Sequence, residues 1–197
     1  NLEGSGVQVA CVINFHEGTN DSAAILEESN KAVDAGADEF DVVFDRRLLE
    51  QSDSYETIYE MLSEQNKAIK DRSNKETKTK IILESTELTK AQVVAVSCIA
   101  AFAGFDFVKT STGFVPGGSA TLEDVTTMKR AVGLIPGSST SVKASGGIRD
   151  WTACRKMVEA GATRIGASVG VAIMKEIQEG KVKDDENQGA KESAGGY

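Results

Sequence analysis

Short β-branched runs alternate with longer amphipathic stretches along most of the chain, and this alternation constrains the fold more than any single residue does. Val7-Gln8-Val9-Ala10-Cys11-Val12-Ile13 reads as a strand, and apolar residues at helical spacing follow over residues 22–35. The pattern then repeats. Strands are expected over residues 39–45, 79–84, 105–111, 141–145 and 164–168, with helices over 54–70, 89–103, 121–132, 150–160 and 169–178. Ala35-Gly36, Ala103-Gly104 and Ala160-Gly161 each close a helical pattern just before a strand, where glycine suits a left-handed cap. These echoes lie 68 and 57 residues apart, each close to twice the roughly 30 residues of a strand plus its returning helix. Six βα units are expected.

Strands alternating with helices imply a parallel sheet, which is either open and doubly wound or part of a (β/α)8 barrel. No G-x-G-x-x-G follows the first strand, and polar residues gather at the C-terminal ends of several different strands. The barrel family is therefore the expected fold class. With 40% hydrophobic residues among 197, the chain can bury a core without staples, as one domain over residues 1–180. Thirty acidic against 22 basic side chains give a net charge of −8, the wrong sign for general binding of nucleic acid or an anionic membrane. The first residues have neither the basic start nor the apolar stretch of a signal peptide, so a cytoplasmic location is expected. Cys11, Cys98 and Cys154 are far apart and read as small buried thiols, and His16, the one histidine, as a loop residue. No metal is expected.

Two lysines interrupt apolar strands: Lys109 in Phe107-Val108-Lys109-Thr110-Ser111-Thr112-Gly113, and Lys143 in Val142-Lys143-Ala144-Ser145-Gly146-Gly147. They lie 34 residues apart, one βα unit, so neighbouring strands should hold them at similar height near the top of a barrel. Burial and a like charge both disfavour a protonated amine, so one of the pair can become a nucleophile toward a carbonyl. Asp41 also interrupts an apolar strand, and strand alternation places it opposite Phe40, Val42 and Phe44. The lysines are its natural partners, in a proton-handling role or in a structural ion pair. Glu84, at the end of Ile81-Ile82-Leu83-Glu84, could join them. Small residues after the last strands, at Thr112-Gly113, Ser145-Gly146-Gly147 and Gly166-Ala167-Ser168, expose backbone N–H groups. The last of these precedes a helix start at Val169, which suits a phosphate ester.

These stretches, with Gly36-Ala37-Asp38-Glu39-Phe40-Asp41-Val42-Val43 and the run from Ala160 to Ser168, resemble the deoxyribose-phosphate aldolase family, class I aldolases on a (β/α)8 barrel. The similarity runs from about Gly4 to Gly180. The resemblance implies reversible cleavage of 2-deoxy-D-ribose 5-phosphate to D-glyceraldehyde 3-phosphate and acetaldehyde, with no metal or organic cofactor. It implies that Lys109 forms the Schiff base, that Lys143 perturbs it, and that Asp41 relays protons with water. It also implies that Gly113, Gly146, Gly147, Gly166 and Ser168 hold the substrate phosphate.

Family members carry an amino-terminal helix and two strands ahead of the segment that matches Val7 to Ile13, so two of eight barrel strands are expected to be missing here. Three explanations stand: a fragment of a longer product, the first expectation; a truncated, inactive homologue that binds a sugar phosphate or a partner chain; or a chain that closes its edges as a homo-oligomer. His16-Glu17 stands where a proline often follows the phenylalanine, and Val169 where some members have a second serine. The polar tail over residues 181–197 is expected to be disordered, and its Tyr197 to be a frayed end rather than a cover over the site.

Overall fold

The structure is a computed structural model that describes residues 2, 4–50, 54–73 and 77–179. The expected tail and Tyr197 lie outside the described residues. Six parallel strands pair in chain order: β1 (Ala10–Ile13), β2 (Glu39–Val43), β3 (Lys78–Ile82), β4 (Phe107–Lys109), β5 (Ser141–Ser145) and β6 (Arg164–Gly166). Each is followed by its helix: α1 (Ser22–Asp34), α2 (Ser54–Arg72), α3 (Lys90–Phe102), α4 (Leu122–Gly133), α5 (Trp151–Glu159) and α6 (Gly170–Gln178). Strand order without a reversal excludes the doubly wound alternative, whose order turns back at a switch point. Short 3-10 turns at Arg46–Glu50 and Ser85–Glu87, which the sequence pattern does not announce, follow β2 and β3.

Local chemistry accounts for the helix boundaries. Asp21, Thr89, Thr121 and Asp150 each accept a hydrogen bond from a backbone N–H of the first turn of α1, α3, α4 and α5, and Gln92 completes a capping box with Thr89. The expected glycine stops hold: Gly36, Gly104 and Gly161 take φ of 90°, 78° and 114°. At Gly161 a Cβ would also meet Lys129 Cγ at 2.7 Å.

Strand alternation then divides the molecule into two interiors. Phe40, Val42, Phe44, Ile81, Leu83, Val108, Val142 and Ala144 are buried within one apolar cluster with Ile25, Ile58, Leu62, Val96, Met128 and Ile173 of the helices. Each fully buried side chain of this size stabilises the fold by roughly 1.5–3 kcal/mol. The opposite face carries Glu39, Asp41, Lys80, Lys109, Lys143 and Arg164. Arg164 of β6 reaches Glu39 of β2 although three strands separate them, so the sheet is curled and this charged face is concave. Among the described residues, β1 pairs only with β2 and β6 only with β5, so the curl is an open half-barrel. Val7 and Val9 lie exposed just ahead of β1, and Val171 and Met174 are exposed on α6.

Candidate active site

The residues that the sequence singles out converge on the concave face. Lys109 and Lys143 are register partners on β4 and β5, as their spacing predicts. Asp41 reaches them from β2: its Oδ2 lies 2.9 Å from Lys109 Nζ and 2.6 Å from Lys143 Nζ, and the latter contact is an aligned hydrogen bond. The two amines therefore share one carboxylate oxygen. A third lysine completes the cluster. Lys80, the register partner of Asp41 on β3, places Nζ 2.8 Å from Asp41 Oδ1 and 2.7 Å from Glu39 Oε2. Glu39 in turn accepts from Arg164 Nη1 at 2.6 and 2.9 Å, and the Arg164 guanidinium lies 5.1 Å from the centre of the Phe107 ring.

Charge balance sets the protonation of the cluster. Burial pushes the Asp41 carboxyl up, but Lys109, Lys143 and Lys80 together outweigh it and hold Asp41 far below the ordinary carboxylate range. Burial likewise works against the Glu39 anion, and Lys80 and Arg164 hold it low. Lys143 is pushed below the ordinary lysine range by burial and by the neighbouring charges of Lys109 and Lys80, against the opposing pull of Asp41.

Lys109 and Lys143 line a cleft of about 400 Å³ at the C-terminal ends of the strands. Gly113, Gly146, Gly147, Gly166 and Ser168 all line the same cleft, so it unites every glycine turn picked out in the sequence. Gly166 is needed there for space, because a Cβ would meet Ser145 Cβ at 2.9 Å and Lys143 Cε at 3.4 Å. α6 starts just beyond Ser168 with Val169 in the cap position and no side-chain cap, unlike α1, α3, α4 and α5. Its first N–H groups thus have no side-chain acceptor in the cap. Arg149 also lines this cleft, a cation that the sequence reading passed over.

Two expectations need correction. Glu84 does not join the lysines: its Oε2 accepts from Thr112 N at 2.9 Å and from Thr112 Oγ1 at 2.5 Å, which fastens the loop after β4. The three thiols are free, as expected, but half-buried rather than buried, since their strand and helix positions lie at the margins of the packed layers. His16 does lie in the loop after β1, stacked on Phe114 at 5.2 Å between ring centres. Lys80, Glu39 and Arg164 were missed. An alternation of two counted back along β3 from Glu84 through Ile82 puts Lys80 on the inward face, but its neighbours Thr77-Lys78-Thr79 read as a polar approach to the strand.

Among the described residues, no group of three His, Cys, Asp or Glu side chains could hold a metal ion, and no helix is long and apolar enough to cross a membrane. A family model for DeoC/LacD family aldolases matches residues 3–179. The deoxyribose-phosphate aldolase of Coccidioides immitis is 40% identical over 185 residues, covering 94% of this chain and 66% of its own length. A crystal structure assigned as a deoxyribose-phosphate aldolase from that organism superposes with a TM-score of 0.80 at 42% identity, over 90% of this chain and 67% of that one. The deoxyribose phosphate aldolase from Aeropyrum pernix, a tetramer, gives a TM-score of 0.77 at 29% identity, over 90% of this chain and 70% of that one. The chain thus spans about two thirds of the length of these three proteins.

Proposed function

The chain belongs to the DeoC/LacD family of aldolases, and from that premise we propose that it is a class I aldolase acting reversibly on 2-deoxy-D-ribose 5-phosphate, in the cytoplasmic catabolism of deoxyribonucleotides. One observation carries this reading: two register-paired lysines on the wall of a cleft lined largely by glycine turns share one buried carboxylate behind it. Lys109 Nζ attacks the C1 aldehyde of the open-chain sugar, and loss of water leaves a protonated imine. The C2–C3 bond then breaks, its electron pair flows to the imine nitrogen as an enamine, and the C3 hydroxyl loses its proton to give D-glyceraldehyde 3-phosphate. Protonation of the enamine at C2 and hydrolysis of the imine release acetaldehyde and restore the amine. These steps need no redox partner.

The electrostatics divide the proton work. Asp41, held far below the carboxylate range, is a weak proton acceptor and a strong counter-ion for the imine. Lys143, whose ammonium form burial disfavours, is the better group to exchange a proton with water at the reacting carbons. Gly113, Gly146, Gly147, Gly166 and Ser168 are the proposed phosphate cradle, and the uncapped start of α6 and the nearby Arg149 support it.

The open edges among the described residues favour a second reading, in which the chain binds the sugar phosphate or a partner without turnover. Exposed Val171 and Met174 beside one edge and Val7 and Val9 beside the other suit association, including with a second copy. Release of acetaldehyde from 2-deoxy-D-ribose 5-phosphate, followed with a coupled alcohol dehydrogenase, separates the readings. The aldolase proposal expects turnover that Lys109→Ala removes. Full activity in Lys109→Ala would overturn it.

A further inference from the structure

Resting on the Schiff-base reading above, we infer that Lys80 is a positioning residue, one that pins the Asp41 carboxylate so that its second oxygen faces Lys109 and Lys143. Lys80 has no exposed surface and is absent from the lining of the cleft, so it acts through Asp41 rather than on substrate. An aliphatic side chain of similar volume would fill this place without desolvating an ammonium, so the charge itself needs a reason. The geometry supplies one. The terminal torsion of an aspartate is soft and nearly two-fold, so packing alone does not choose which oxygen points where. Lys143 and Lys109 both draw on Oδ2, and Oδ1 has no hydrogen-bond partner and only the Lys80 ammonium, at 2.8 Å, to hold it.

Lys80 is itself fixed. Glu39 holds its Nζ at 2.7 Å, and Arg164 holds Glu39 from the far edge of the sheet. The charges that face one another are thus Glu39 and Asp41 of β2, Lys80 of β3, Lys109 of β4, Lys143 of β5 and Arg164 of β6. They form one chain of alternating sign across the open half-barrel, and removing a middle link frees Asp41 to turn. Asp41 raises the proton affinity of Lys143 more than the Lys80 charge lowers it, so an Asp41 freed to turn away moves that titration downward.

Lys80→Met leaves Glu39 short of one partner and could impair folding, so the decisive variant is Lys80→Met combined with Glu39→Gln, which removes both charges together. Circular dichroism establishes that it folds, and three readouts follow. Imine trapping of acetaldehyde on Lys109 with borohydride should stay within about threefold of the parent, and kcat should fall at least about tenfold with KM changed by less than about threefold. The Lys143 amine, followed by NMR of isotope-labelled lysine side chains, should titrate at lower pH than in the parent, because Asp41 no longer faces it. A kcat within about twofold of the parent, or a loss confined to KM, would overturn the positioning role. If the parent protein neither traps acetaldehyde nor turns over, the aldolase reading falls by itself. The NMR titration then decides for Lys80: an unmoved or upward-shifted Lys143 overturns its hold on Asp41, and a downward shift sustains it.

Discussion

Phe40 and Asp41 are adjacent on β2 and both are buried, yet they belong to interiors of opposite kind. Phe40 faces the helices and joins a cluster whose every member gains by leaving water. Asp41 faces the concave side, where it, Glu39, Lys80, Lys109 and Lys143 are largely buried and, with the half-buried Arg164, compensate one another. Buried ion pairs seldom stabilise a fold better than apolar packing would. The difference teaches that the outer interior holds the strands in place and the inner one uses the place they hold. Substitutions on the two faces should therefore separate stability from chemistry.

The sharpest separation comes from Lys109→Ala. Turnover should fall by at least roughly a thousandfold, while Lys80 and Lys143 still hold Asp41 and the protein stays folded. A coupled assay together with urea denaturation checks both halves. Asp41→Asn should blur the separation, because it leaves three ammonium groups without their shared anion. A stability loss of about 3–5 kcal/mol is expected in denaturant melts, along with the loss of turnover. On the outer face, Leu62→Ala should cost ~2–5 kcal/mol and leave turnover per folded molecule unchanged, since Leu62 lies in the apolar cluster. A small control is Asp150→Ala, which removes the 2.7 Å bond to Ala153 N and should cost about 1 kcal/mol with the site untouched.

The pH dependence of stability sharpens the same comparison. Asp41 and Glu39 are held below their ordinary values, so their contribution is complete above the carboxylate range and is lost as pH falls through the lower folded values. Lys143 works in the other sense. Its folded value lies below that of the unfolded chain, so between the two the unfolded chain binds more protons and stability rises with pH toward the ordinary lysine range. Lys143→Met should flatten that alkaline rise in urea melts taken across pH, and Leu62→Ala should lower the whole curve without changing its shape.

The outer interior was readable from sequence because its signals are local. Alternation in Phe40, Val42 and Phe44 and stops such as Gly104 each act within a few residues. Lys109, Lys143 and Asp41 stood out for a related reason, as charges set into apolar strands. Lys80 and Arg164 sit near the starts of short strands among polar neighbours, so only the register of the folded sheet reveals where they point. The capture of Glu84 by Thr112 depends on a loop conformation, which no periodicity encodes. The same holds for Arg149, which enters the cleft only through the turn after β5.

The central claim is that a buried amine in this cleft makes a covalent bond to a carbonyl, and borohydride trapping with acetaldehyde tests it most directly. Peptide mass mapping of the reduced protein should find an added ethyl group on Lys109 and none in Lys109→Ala. An adduct confined to other lysines, or no adduct on a protein shown to be folded, would contradict the account.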